Sequence, residues 1–225
     1  MRPTILAALF IALAAPTRRY ESPRVKPDCS PYPRDATPHC VASIRGGDLA
    51  KPSFSPTGRY LAFATVTVRP PAAAATDEFS ELDGTLVADL QTKGVQVLVS
   101  PEQARKYASY SAFVGGIKWR SDQLLVVTYA DGDVDWDDLT IRRTDAKLLA
   151  TKHGSADDEP LREPIKPPDP DLTPAQARKL LPHLPAELPV ESGRLSKDQN
   201  LLAVVAGKEP HRQLLIFRLH PQRKP

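Results

Sequence analysis

The sequence predicts a mainly β protein of recurring antiparallel strand units, and three observations carry that prediction. Turn residues lead straight into β-branched and apolar runs of strand length. That turn-and-strand unit recurs three times along the chain. The 24 prolines interrupt regular elements and leave a single segment with a helix signature. One such unit cannot bury both faces of its small sheet, so the copies are expected to pack face to face around a shared core. With 225 residues, 41% of them hydrophobic, the chain is long enough to build one.

Residues 1–14 differ in character from the rest. Arg2 precedes an apolar run over residues 5–15, and Ala12-Leu13-Ala14 places small residues where a signal peptidase cuts. The segment reads as a secretory signal peptide cleaved near Ala14. Its run falls short of the roughly 20 apolar residues that a bilayer span requires. No cysteine follows the cut to take a lipid, and no later segment is apolar enough to span. The mature chain is therefore expected in the periplasm or secreted, with no stable membrane insertion after cleavage. Residues 15–40 are rich in proline and charge without sustained periodicity, as an irregular arm would be. Cys29 and Cys40 flank Ser30-Pro31-Tyr32-Pro33 and are expected to join as a disulfide in an oxidising compartment. A metal site built from both thiols and His39 would lack a fourth ligand at useful spacing.

One β domain is expected over residues 41–225, with units at about 41–100, 112–152 and 191–219. In the first, Pro52-Ser53-Phe54-Ser55-Pro56-Thr57-Gly58-Arg59-Tyr60 reads as a turn feeding a strand at residues 61–68. After an alanine-rich and acidic stretch, residues 84–90 read as a second strand and 95–99 as a third. Gln91-Thr92-Lys93-Gly94 between them is a hairpin turn, which makes the pair antiparallel. In the second unit, Ile117-Lys118-Trp119 leads through Arg120-Ser121-Asp122-Gln123 into an apolar strand at 124–129. Beyond an acidic loop, strands at 139–142 and 147–150 flank a turn at Arg143-Thr144-Asp145. In the third, residues 194–200 precede a strand at 201–206, and 213–219 supplies its partner. A proline-rich insertion, 155–190, separates the second and third units. Within it Thr173 as N-cap, Pro174 at the first helical position and Pro182 just past the end mark one short helix. It is expected to rest on the sheet; a lid or partner-docking arm is the functional alternative.

The run Ser55-Pro56-Thr57-Gly58-Arg59-Tyr60-Leu61-Ala62-Phe63 resembles the blade motif of bacterial WD40-like β-propellers. These occur in TolB and in the N-terminal propellers of prolyl oligopeptidase-family enzymes. A Ser-Pro-Asp-Gly turn there starts the second strand of a blade, and a strand ending in Asp-Leu leads to a Gly-containing hairpin. Val87-Ala88-Asp89-Leu90-Gln91-Thr92-Lys93-Gly94 is similar to the latter, and Trp119-Arg120-Ser121-Asp122 with its apolar strand resembles a second blade. Thr57 stands where the family has Asp, and the second and third units lack the Pro-Gly punctuation. The resemblance implies antiparallel propeller-type blades. Family propellers carry about 4 to 8 of them. With three recognisable units, a partial or incomplete β-propeller is expected.

The peptidases so resembled keep catalysis in a separate hydrolase domain with a Gly-x-Ser-x-Gly nucleophile elbow. That motif does not occur in this sequence, so no catalytic residue is assigned and no enzyme activity is expected. The most distinctive chemical stretch is Asp131-Gly132-Asp133-Val134-Asp135-Trp136-Asp137-Asp138. Asp131, Asp133 and Asp135 match the opening spacing of a calcium loop, and with Asp137 they form a candidate calcium site. Trp136 stands where an EF-hand needs Gly, and Arg142 where it needs a bidentate Glu. A solvated hairpin whose charges discourage edge pairing is the competing reading. Partner contact through Asp131, Asp133, Asp135 and Trp136 is a third. No other cofactor is implied. His39, His153, His183, His211 and His220 show no metal-pair spacing, and Trp119 and Tyr129 are expected to pack within strands. Thirty Lys and Arg against 27 Asp and Glu leave a formal net charge of +3. The basic tail with His220, Arg223 and Lys224 has no aromatic platform, so nucleic acid is not an expected partner. The expected function is exported, non-enzymatic binding of a protein or peptide, by loops at one end of stacked sheets. The alternatives are a truncated, substrate-gating propeller of a serine peptidase whose hydrolase domain lies elsewhere, and a calcium-stabilised structural module.

Overall fold

Strand β4 (Tyr60–Val68) shows how the sequence sets the layers. Side chains on a strand alternate between two faces. Leu61 and Phe63 enter one buried cluster, while Tyr60, Ala62 and Ala64 enter another. A strand buried on both faces belongs to a middle sheet. That sheet runs β3 (Asp48–Phe54), β4, β5 (Glu81–Asp89), β6 (Val95–Val99), each neighbour antiparallel. The structure is a computed structural model and describes residues 22–68, 81–107, 112–131, 135–155 and 172–220. The signal segment with its cut near Ala14, residues 156–171 of the proline-rich insertion, and Arg223 and Lys224 lie outside the described residues.

On one side of the middle sheet lies a four-stranded sheet of β7 (Phe113–Ser121), β8 (Leu124–Asp131), β9 (Asp135–Arg142) and β10 (Lys147–Ser155). Ile117, Leu125, Val127, Tyr129, Leu139 and Ile141 pack from it onto Ala62, Ala64 and Val87. The small alanines make room for Tyr129, which is fully buried. Its hydroxyl donates to the Asp83 carbonyl at 3.2 Å and shares a 2.8 Å hydrogen bond with Thr85 Oγ1. Burial pushes the Tyr129 pKa up, so the ring stays neutral. Trp119 packs at the same junction and donates from Nε1 to the Ser53 carbonyl at 2.9 Å.

On the other side lies a five-stranded sheet in the order β1 (Arg24–Lys26), β2 (His39–Arg45), β13 (Gln213–Arg218), β12 (Leu201–Ala206), β11 (Val190–Leu195). Strand β2, from the N-terminal part of the chain, pairs antiparallel with β13, placing Ile44 opposite Leu214. Ile44, Val205, Leu214 and Ile216 face Leu49, Leu61, Phe63 and Leu86 of the middle sheet. The opposite face, with Leu202, Val204, Leu215 and Phe217, is covered by the N-terminal arm and by α2 (Pro174–Leu180). Thr173 caps α2 as its sequence predicts, its side chain accepting from Gln176 N at 3.3 Å while Gln176 Oε1 accepts from Thr173 N at 2.8 Å. Helix and sheet come close because β11 offers Gly193, where a Cβ would lie 3.2 Å from that of Ala177. Cys29 and Cys40 form the expected disulfide. It staples the arm so that Tyr32 meets Phe217 edge-on, with ring centroids 4.8 Å apart. Closing so short a loop stabilises by about 2–3 kcal/mol in the chain-entropy model.

The protein is thus mainly β, with antiparallel sheets, and among the described residues no sheet closes on itself. Three local readings change. Pro52 and Phe54 belong to strand β3 instead of the turn; proline is tolerated there because the β3–β4 pairing shifts register between Ala50 and Ser53. Asp135, Trp136, Asp137 and Asp138 belong to strand β9 instead of a loop, carried into register by pairing with both β8 and β10. A second short helix, α1 (Pro101–Ala104), follows β6 with a capping box of Ser100 and Gln103.

Candidate functional site

The recurring turns converge at one end of the stack. Ser55 and Ser196 open turns of the same construction. Each serine hydroxyl accepts from the backbone N–H five residues on, Tyr60 at 3.2 Å and Leu201 at 2.9 Å. Each serine carbonyl accepts from the residue three on, Gly58 at 2.8 Å and Gln199 at 2.9 Å. Both of those residues adopt positive φ, 72° and 58°. The two turns therefore correspond residue by residue, although one carries Pro and Gly and the other does not. In the second, Asp198 accepts from the Ser196 hydroxyl at 2.6 Å and from Asn200 N at 3.1 Å. In the first, Thr57 occupies that place and the carboxylate comes from a neighbouring sheet. Asp122, in the β7–β8 turn, accepts from Thr57 N at 3.2 Å and from the Thr57 hydroxyl.

Between these turns lies a cleft of about 860 Å³. One wall comes from the middle sheet, through Thr57, Gly58, Arg59, Leu90, Gln91 and Lys93. The other comes from the five-stranded sheet, through Val41, Asp198, Asn200, Leu201, Arg218 and His220. Val41, Leu90 and Leu201 form an apolar floor that continues into the core between the two sheets. The acids around the cleft are engaged. Hydrogen bonds from Arg59 hold the Asp89 carboxyl well below the usual range, at about 2, against the opposing effect of burial. The Ser196 hydroxyl lowers Asp198 in the same way. Burial pushes Asp122 up, but the bonds from Thr57 and the nearby Arg143 outweigh it and leave the group lowered. All three carboxylates are therefore ionised and already held by the frame.

Among the described residues, the side chains of Gln91, Lys93, Arg218 and His220 carry no hydrogen bond or ion pair. The cleft thus presents fixed turns, an apolar floor and a rim of uncommitted donors. That arrangement suits complementary binding: donors are available, and the rigid turns lose little conformational freedom when they are used.

The stretch singled out by composition sits elsewhere. Asp122 lies two residues before the start of β8 and Asp131 ends it, and eight residues of strand span about 26 Å. The acidic hairpin therefore occupies the end of its sheet opposite the cleft. Asp131 pairs in register with Asp135, and Asp133 lies outside the described residues. Asp137 faces His153 Nδ1 at 3.2 Å. Trp136 points to the other side of the strand and lies over Gly154, where a Cβ would come within 2.5 Å of the indole. Asp138 accepts from the Thr128 hydroxyl at 2.6 Å. Among the described residues no group of three His, Cys, Asp or Glu side chains is placed to hold a metal ion.

Composition passed over the cleft residues because each looks like an ordinary turn residue. The signal that pointed to them was the recurrence of the turn itself. Comparison with known proteins gives no matching family model, no matching curated protein and no matching solved structure.

Proposed function

We propose that this protein is an exported, non-enzymatic binding module of partial propeller type. It contacts a protein or peptide through the cleft at the turn end of its sheets. The propeller reading draws support from four-stranded antiparallel meanders stacked face to face, the build of propeller blades. Strands β11, β12 and β13 make a further three-stranded meander, and β2 supplies its fourth strand. The observation that carries the binding reading is the cleft itself, framed by hydrogen-bonded turns from separate sheets and rimmed with unengaged donors. Loops held on a rigid frame are where binding surfaces are commonly built.

The test is capture of a partner from the exported fraction with the purified chain as bait. Gln91 is exposed and lines the cleft, so Gln91→Trp fills the mouth without disturbing the core. The wild type is expected to retain a partner that Gln91→Trp loses at unchanged melting temperature. Equal capture by both proteins removes the cleft as the contact site. Loss of capture in a variant with Asp131, Asp133 and Asp135 changed to Asn would move the site to the opposite end.

A further inference from the structure

We infer that the cleft selects an extended peptide segment in which a carboxylate stands next to an apolar side chain. This inference rests on the reading of the cleft as a binding site and specifies the ligand class. Its ground is the difference in commitment between the charges around the cleft.

Every acid there is engaged from within: Asp89 by Arg59, Asp122 by Thr57, and Asp198 by Ser196 and Asn200. Arg59 is engaged in turn, its Nη2 lying 2.7 Å from Asp89. Lys93 and Arg218 have no such partner among the described residues. A ligand entering the cleft therefore meets two cations without a partner, while the acids, though ionised, already accept hydrogen bonds from Arg59, Thr57, Ser196 and Asn200. Charge complementarity then favours a carboxylate and disfavours a basic group.

The two cations stand on different walls, Lys93 in the β5–β6 turn and Arg218 at the end of β13. Between them lies the apolar floor of Val41, Leu90 and Leu201. A compact inorganic anion would leave that floor exposed to water. An extended chain fills both environments at once, because its side chains alternate in direction and adjacent residues can meet floor and rim. The lining contains no Phe, Tyr or Trp on which successive bases could stack, and the single imidazole of His220 makes no such platform, which argues against a single-stranded nucleic acid.

The test uses fluorescence anisotropy with three labelled eight-residue peptides: alternating Leu and Glu, alternating Leu and Lys, and alternating Ser and Glu. The Leu–Glu peptide is expected to bind the wild type. The other two are expected to bind about tenfold more weakly, one lacking the charge pairs and the other the apolar contact. Lys93→Glu combined with Arg218→Glu should invert the preference toward the Leu–Lys peptide. Lys93→Glu alone, at an exposed turn position, should already reduce Leu–Glu binding if the double variant folds poorly.

Equal binding of the Leu–Glu and Leu–Lys peptides would overturn the inference and leave the cleft as a peptide site. The inference is also overturned if no peptide binds while Gln91→Trp still abolishes capture of the partner. If peptides fail and capture is also insensitive to Gln91→Trp, the binding reading itself falls.

Discussion

Arg212 joins the two sheets that form the cleft, at the end of the stack away from it. Its guanidinium makes a forked contact with Asp48 of β3, Nε to Oδ1 at 2.7 Å and Nη2 to Oδ2 at 2.6 Å. It also reaches Glu191 of β11 at 2.8 Å. Both Arg212 and Asp48 are buried, at 7% and 5% side-chain exposure. Hydrogen bonding to Asp48 raises the already high Arg212 pKa despite desolvation, so the charge is permanent. A buried ion pair adds little over a well-packed apolar pair, but removing one member strands the other. Arg212→Leu is accordingly expected to destabilise the chain by about 3–5 kcal/mol, read as a fall in the urea midpoint at constant slope. Asp48→Leu in the same chain should recover part of that loss. A midpoint unmoved by Arg212→Leu would show that the clasp contributes nothing. None of this was legible in the sequence, where Asp48 and Arg212 are two charges among many.

At the scale of elements, legibility followed locality. The α2 helix could be read because Thr173, Pro174 and Gln176 form its cap within four residues, and β4, β8 and β12 could be read from their apolar runs. Strand β3 was hidden by Pro52, which usually marks a break and here sits at a register shift. The acidic stretch misled in the opposite direction. Aspartate disfavours strands, yet pairing with β8 and β10 on both sides holds β9 extended from Asp135 onward. The two serine turns supply a prediction about this level. Gly58 has φ of +72°, and a Cβ there would stand 3.2 Å from Leu201 Cδ1, so Gly58→Ala should cost about 1–2 kcal/mol. Gln199 holds the equivalent place at φ of +58° with a side chain. Gln199→Gly should therefore not lower the melting temperature, because strain relief offsets the added freedom of the unfolded chain. Equal losses for both substitutions would show that the turns are not equivalent.

At the scale of the whole molecule, the decisive contact is the pairing of β2 with β13, between segments near opposite ends of the described chain. No local pattern predicts it, since the sequence before residue 39 shows no sustained periodicity and β2 itself carries polar residues at both ends. Yet it closes the five-stranded sheet and supplies Ala42 and Ile44 to the core behind the cleft. It also places Val41 in the cleft floor. Without β2, the β13 edge would expose unpaired backbone groups and a row of buried apolar side chains, which is a template for association with other chains. A protein lacking residues 1–45 is therefore expected to unfold without cooperativity and to aggregate as its concentration rises. Refolding it with a synthetic peptide of residues 22–45 should restore a sharp transition, because strand addition re-forms the missing ladder. The full-length chain with Cys29→Ser and Cys40→Ser separates the strand from the staple. It should lose only about 2–3 kcal/mol and still unfold cooperatively. A truncated chain that melts as sharply as the intact one would mean that the frame, and with it the cleft floor, does not depend on joining the two ends of the molecule.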